Sequence, residues 1–211
     1  MKTKRILMSF IGVLIGAVSV GGFKLAALGV DPFQSFMSGI DALVPIGFGT
    51  LYVLVNGVLL LFALMFDRHY IGVATFVNLF LLGYVVEFST ATLQGLFPDP
   101  SMTVRTVSFV LSFVFLCLGS SVYMTADLGV STYDAVALIC ANTWKLGKFK
   151  FIRIITDLAC IVLGIGMYLL SGGERGVILT FVGVGTIVTA FCMGPPIDWF
   201  NRKVSIPFLE R

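Results

Sequence analysis

Six long apolar runs indicate that this chain folds in a lipid bilayer. They occupy about 6–27, 49–66, 71–94, 106–126, 151–171 and 176–198. A helix needs roughly 20 mostly apolar residues to cross the hydrocarbon core of a bilayer. Charged residues make up only 12% of the 211 residues, whereas an average soluble domain carries about 25%. The sequence therefore predicts an all-α, polytopic membrane helix bundle with six transmembrane helices.

Two shorter helical stretches, 32–44 and 132–144, lie between predicted spans. At a rise of 1.5 Å per residue each stretch is about 20 Å long, which is too short to cross a bilayer unaided. We expect two short broken or re-entrant helices. The sequence leaves open whether they cross, re-enter or lie at the interface, and if both crossed the chain would have eight spans.

The distribution of basic residues predicts the orientation of the spans. With six crossings, eleven of the 14 Lys and Arg residues fall on the side of the N-terminus, and three (Lys24, Arg105 and Arg175) fall on the other side. Cytoplasmic loops carry an excess of Lys and Arg, so both termini are expected in the cytoplasm. Crossing of both short helices would leave this balance unchanged. The apolar run after Arg5 is interpreted as the first span, because no convincing signal-peptide cleavage site follows it.

The chain contains an internal repeat. Leu28–Gln34 aligns with Leu128–Asp134 at an offset of 100, and Asn56 aligns with Asp157 after a gap of one residue. A third correspondence, at an offset of 111, lies near the end of each half. It pairs Gly72, Thr75, Gly83 and Glu87 with Gly183, Thr186, Gly194 and Asp198.

The repeat predicts two membrane units, residues 1–100 and 101–211. Each unit has three full spans, an odd number, so the second unit enters the membrane from the opposite side. Such inverted-topology repeats are typical of secondary transporters, which bind their substrate between the repeats. If the short helices crossed, each unit would have four spans and the repeat would be parallel.

The two breaks between the first span and the short helix are candidate binding sites. Asp31 and Ser131 are suited to cap the short helices, with Pro32 at the first helical position. Their N-termini would then point free N–H groups and polar side chains at a ligand inside the membrane. The alternative is that these residues only end one helix and start the next. The candidate substrate-binding residues here are Asp31, Gln34, Ser131, Thr132 and Asp134.

Four further polar residues inside spans complete the candidate site: Asn56, Thr75, Asp157 and Thr186. An ionisable side chain within a membrane is costly and usually faces a bundle interior or an aqueous cavity. Asp134 or Asp157 is expected to pair with a cation or carry a proton. The alternative for Asp157 is an ion pair with Arg153, four residues earlier on the same helix face. No catalytic residue, metal site or cofactor is predicted, because no nucleophile–base pair or ligand cluster occurs.

These residues carry a family resemblance. The chain resembles the YczE/YyaS/YitT group of bacterial integral membrane proteins in Leu28–Pro32, in Leu128–Asp134, and in Gly183–Thr186 followed by Gly194, Pro195, Ile197 and Asp198. The match is to the YczE branch and covers essentially the whole chain. YitT-type members often add a soluble C-terminal domain, and only about a dozen residues follow Asp198 here. The resemblance implies the architecture and a bacterial plasma membrane, but no substrate and no catalytic residue.

The leading hypothesis is a small-molecule transporter with its site between the two repeats, in contact with membrane lipid and with no nucleic acid partner. A substrate-capture subunit of a modular vitamin importer, which needs an energising partner, is the second hypothesis. A non-transporting membrane scaffold or accessory protein is the third. The glycine-rich helix faces also make a homodimer conceivable. An enzyme is not expected.

Overall fold

The computed structural model describes residues 2–210 and is helical throughout, without strands in that range. Six segments are long and apolar enough to cross a membrane. The first half contains α1 (Lys2–Ala26), α2 (Pro32–Leu43), α3 (Phe48–Phe66) and α4 (Val73–Leu96). The second half contains α5 (Met102–Ala126), α6 (Thr132–Leu138), α7 (Phe149–Leu170), α8 (Arg175–Phe181), α9 (Val184–Cys192), α10 (Gly194–Phe200) and α11 (Ile206–Glu210).

The first five predicted spans are confirmed to within a few residues, and the sixth, predicted over 176–198, is present over Arg175–Cys192 but is not one continuous helix. That segment is broken between α8 and α9 and again between α9 and α10, and a π-helical turn over Asn201–Ser205 joins α10 to α11. Residues 199–210 pack along α5, where the Ser205 and Ser121 hydroxyls are 2.6 Å apart.

Both ends of the described chain lie at the same end of the bundle. The Lys4 side chain donates a hydrogen bond to the carbonyl of Leu209 at 3.4 Å, and its ammonium lies 4.8 Å from the centre of the Phe208 ring. The number of crossings is therefore even, as predicted. The boundary between the predicted units falls in the loop between α4 and α5, and the terminal residues Met1 and Arg211 lie outside the described residues.

The two short helices are present where the sequence predicts them, and neither is long enough to cross. Asp31 caps α2 and accepts the N–H of Gln34 at 3.1 Å, and Ser131 caps α6 and accepts the N–H of Asp134 at 3.1 Å. A π-helical turn, Ile139–Thr143, extends α6. There Thr143 donates a 2.7 Å hydrogen bond to Asp67, and this bond lowers the pKa of the exposed Asp67 carboxyl from its ordinary value.

The first helices of the two halves are antiparallel, as expected for an inverted repeat. Gly12 of α1 lies against Gly119 of α5, and Gly22, ten residues later, lies against the earlier Ser112. A Cβ atom on Gly12 would come within 2.8 Å of the Gly119 carbonyl oxygen. Small residues therefore allow the two backbones to touch, as is common in membrane helix pairs.

A matched pair of arginines ties the two first helices together. Arg105, near the start of α5, donates hydrogen bonds to the carbonyls of Ala26 and Ala27 at the end of α1, at 2.7 and 2.6 Å. Arg5, near the start of α1, donates to the carbonyl of Ala126 at the end of α5, at 3.1 Å. Each guanidinium thus satisfies terminal carbonyls of the other half, which have no partner within their own helix.

The two breaks interlock with the opposite halves through matching backbone hydrogen bonds. Val130 donates to the carbonyl of Tyr70 at 3.1 Å, and Ala74 donates to that of Leu128 at 2.9 Å. At the other break, the equivalent bonds run from Val30 to Phe181 (3.2 Å) and from Gly185 to Leu28 (2.7 Å). Non-helical backbone inside a membrane must be satisfied by protein, and here each half supplies the partners for the other.

Glycine is required at the centre of each break. Gly29 and Gly129 both have φ of +105°, a conformation that side chains with a Cβ rarely adopt. A Cβ on Gly129 would also lie 2.5 Å from the amide nitrogen of Gly72. The turn therefore depends on glycine for both its backbone conformation and its packing.

We expect Gly129→Ala to destabilise the fold by at least about 2 kcal/mol, because it adds backbone strain and a steric overlap to the interlock. The matched control is Gly57→Ala in α3, where a Cβ meets nothing within 4 Å. That change should be neutral or raise stability by up to about 1 kcal/mol. Thermal unfolding in detergent measures both, and equal melting temperatures for the two variants would contradict the interlock.

Candidate functional site

The two short helices begin side by side at the centre of the bundle and run apart. The rings of Phe33 and Tyr133, equivalent positions of the repeat, are stacked with centroids 4.8 Å apart. Beyond this pair, α2 packs against α7, with Gly39 on Gly164. In the opposite direction α6 reaches the far end of α3 through the bond between Thr143 and Asp67. The two helix starts therefore meet at the pseudo-twofold axis that relates the halves.

A cavity of about 190 Å³ lies at this meeting point. Five of the nine predicted site residues line it: Asp31, Gln34, Asn56, Ser131 and Asp134. Its other polar lining comes from Tyr52, Asn78, Ser120, Tyr123, Tyr133 and Arg153. Residues from both halves contribute, so the predicted break residues do come together in one place.

The second half places a charged network at the cavity. Arg153 forms ion pairs with Asp134 and, at 3.2 Å, with Asp157, and its guanidinium lies 4.4 Å from the centre of the Tyr133 ring. The Tyr133 hydroxyl donates a 2.7 Å hydrogen bond to Asp157. The pairing of Arg153 with Asp157, which the sequence left as an alternative, is thus present, and Asp134 shares the same cation.

The first half carries uncharged residues at the equivalent positions of this network. Gln34 corresponds to Asp134, Asn56 to Asp157, and Tyr52 to Arg153. The Tyr52 hydroxyl donates to Asn78 at 3.1 Å instead of contacting Gln34. Asn56 accepts a 2.5 Å hydrogen bond from Thr132 of α6, which joins the halves across the site. The two halves therefore contribute different charges to the cavity.

Two polar atoms of the cavity lining have no hydrogen-bond partner among residues 2–210: Gln34 Oε1 and Tyr123 Oη. The side chains are deeply buried, with Gln34 4% and Tyr123 8% exposed. An unpaired buried polar atom is rare in folded proteins because it loses its hydrogen bond to water. Both residues line the cavity, and both atoms are buried without a partner in the described chain.

The remaining predicted residues lie around the cavity and not on its surface. Thr75 bonds to the carbonyl of Val130 at 2.7 Å and to the N–H of Gly72, and Thr186 makes the equivalent bond to Gly183. The Thr75 hydroxyl therefore joins the two halves directly, whereas the Thr186 hydroxyl bonds within its own half, to Gly183 and Phe181. Thr132 donates a hydrogen bond to Asn56, which lines the cavity. Asp157 contacts Tyr133 and Arg153, which also line it.

Sequence reasoning missed Arg153, Tyr123, Tyr52 and Asn78 as site residues. Arg153, which the sequence assigns to the cytoplasmic side, lies four residues into α7 and also lines the cavity. One signal for Tyr52 and Arg153 was available in the sequence. They align with each other at the same offset as Asn56 and Asp157. Within the described part of the chain, no group of three His, Cys, Asp or Glu residues is arranged to hold a metal ion.

The two halves differ in how their last long helices pack. In the first half Gly83 of α4 is pressed against Tyr52 of α3, where a Cβ would come within 2.5 Å of the Tyr52 Cβ. A Cβ on its counterpart Gly194 would meet nothing within 4 Å. A groove of about 440 Å³ separates α7 from α8 and α9, and Asp157 and Thr186 lie on its wall. The first half is closed where the second half is open.

The chain belongs to a family of unknown function (DUF6198), which matches residues 3–202. It is 25% identical over 187 residues to the uncharacterized membrane protein YczE of Bacillus subtilis strain 168, covering 88% of this chain and 80% of that protein. It is 21% identical over 201 residues to the uncharacterized protein YyaS of the same organism, covering 95% and 92%. No solved structure matches. The expected resemblance to YczE and YyaS is confirmed, and the chain is a multi-pass membrane protein of this family.

We expect Arg153→Met to destabilise the protein by about 1–3 kcal/mol, because it leaves Asp134 and Asp157 facing each other without a cation. Thermal unfolding in detergent measures the loss. The matched control is Arg202→Met, which removes an exposed ion pair with Asp198 and should cost less than about 0.5 kcal/mol. Combining Arg153→Met with Asp134→Asn should recover part of the loss. Equal effects of the two arginine substitutions would contradict the central network.

Proposed function

We propose that this protein is a small-molecule transporter whose substrate binds in the cavity between the two inverted repeats. The observation that carries the proposal is the cavity at the pseudo-twofold axis, lined by both helix breaks. Secondary transporters with inverted repeats bind substrate at this place, next to discontinuous helices. In this proposal the protein acts as a carrier and not as an enzyme.

The difference between the halves supports an alternating mechanism. The two halves have the same topology. The pair α7 and α9 can therefore adopt the closed arrangement of α3 and α4, and the pair α3 and α4 can adopt the open arrangement of α7 and α9. Exchanging the two arrangements would open the cavity first on one side and then on the other. Gly83 and Gly194 occupy equivalent positions of the repeat, and only Gly83 is packed against another helix. These two positions mark where the helices of each half would close and separate.

We place the protein in the bacterial plasma membrane with both termini in the cytoplasm. The excess of Lys and Arg at the end of the bundle that holds both chain ends supports this orientation. The groove between α7 and α9 then opens to lipid along an apolar wall. Membrane lipid is accordingly a neighbour of the site.

Asp134→Asn should reduce transport at least tenfold while the protein stays folded, because it removes one carboxylate of the network that lines the cavity; Asp134→Ala should do the same. The measurement is flux into proteoliposomes made with purified protein and bathed in a bacterial metabolite extract, read by mass spectrometry. Unchanged flux in either variant would contradict the site.

Asp198→Asn is the matched control. It neutralises a carboxylate whose ion pair with Arg202 is exposed, and it should leave flux unchanged. If folded wild-type protein carried nothing from the extract, the carrier proposal would fail. Activity that returned only with a co-purified ATPase would favour the substrate-capture subunit, and no activity in either case would favour the scaffold.

A further inference from the structure

We propose that the ligand of the central cavity is a small organic ammonium ion, a protonated amine that carries N–H donors. This inference rests on the proposed function and names its substrate class. It is carried by the charge of the cavity and by the unpaired atoms of Gln34 and Tyr123.

Carboxylates outnumber cations at the cavity. Asp134 and Asp157 share the single guanidinium of Arg153, whereas Asp31 has no ion-pair partner within residues 2–210. The nearby Lys24 does not line the cavity, and its ammonium lies over the ring of Phe48, 3.4 Å from the centroid. The side chains that line the cavity therefore carry two negative charges, on Asp31 and Asp134, and one positive charge, on Arg153. A cation is the ligand that this arrangement complements.

The unpaired atoms indicate a cation that donates hydrogen bonds. Gln34 Oε1 is an acceptor, and the Tyr123 hydroxyl and the Asp31 carboxylate also accept. All three groups line the same cavity, and the first two lack partners in the described chain. An ammonium group offers three donors and no acceptor, so it satisfies such a set. A quaternary ammonium, which has no N–H, would leave the acceptors unpaired.

The volume bounds the size of the ligand. An apolar cavity of about 150 Å³ holds benzene. The central cavity, of about 190 Å³, therefore admits a molecule roughly the size of benzene or a little larger.

The test is saturable thermal stabilisation of the purified full-length protein by butylammonium, since a ligand that binds only the folded state raises its melting temperature. Tetramethylammonium, butyrate and sodium at equal ionic strength are the comparison probes. We expect a saturable rise with butylammonium and none with the other three. A rise with butyrate, with sodium alone, or equally with tetramethylammonium would overturn the ammonium class.

Two substitutions locate the binding. Asp31→Asn keeps a good helix cap but removes the charge, and Gln34→Met removes the unpaired amide at similar size. Each should raise the butylammonium Kd at least tenfold, whereas Gln94→Met, an exposed position near the end of α4, should leave it unchanged. Equal Kd values in all four proteins would contradict this site.

The result separates the substrate class from the proposed function. If butylammonium does not bind but an anionic or neutral metabolite crosses proteoliposomes in an Asp134-dependent manner, the inference fails and the transporter stands. If butylammonium binds but neither it nor any metabolite crosses, the inference stands and the transporter fails.

Discussion

The structure depends on one constraint: the backbone N–H and C=O groups at the helix breaks need hydrogen-bond partners inside the membrane. Two helices are interrupted within the bundle, and the hydrocarbon core offers no water to their free N–H and C=O groups. Each break finds its partners in the opposite half, through the bonds of Val130 to Tyr70 and of Val30 to Phe181. Neither half can satisfy its own break, so the halves are joined into one unit, and the starts of α2 and α6 are fixed face to face.

The interlock determines the geometry of the site, and the different side chains at equivalent positions of the two halves determine its charge. Phe33 and Tyr133 stack across the axis because they occupy the same position of the repeat. Around them the second half holds Arg153 between two carboxylates, while the first half has Tyr52, Gln34 and Asn56 at those positions. One side of the cavity is an internally paired ion network. The unpaired polar atoms are divided between the halves, with Gln34 Oε1 in the first and Tyr123 Oη in the second.

Much of this architecture was readable from sequence, because span length, helix caps and the repeat all act locally or by simple alignment. The two short helices and their caps at Asp31 and Ser131 follow from such signals. The roles of Thr75 and Thr186 were not readable, since a threonine near a break is equally compatible with a ligand contact and a backbone bond. The break between α8 and α9 was also missed, because it depends on Leu28 and Gly29 from the other half. Contacts between halves require the three-dimensional arrangement.

The central claim is that the halves exchange an open and a closed arrangement around the cavity. Distances between spin labels test it most directly, on the equivalent pairs Val58–Phe80 across α3 and α4, and Ala159–Phe191 across α7 and α9. All four positions are exposed on the bundle surface. The account predicts two distance populations for each pair, with α3 and α4 separating in the state in which α7 and α9 close. A single, invariant distance for both pairs would contradict it.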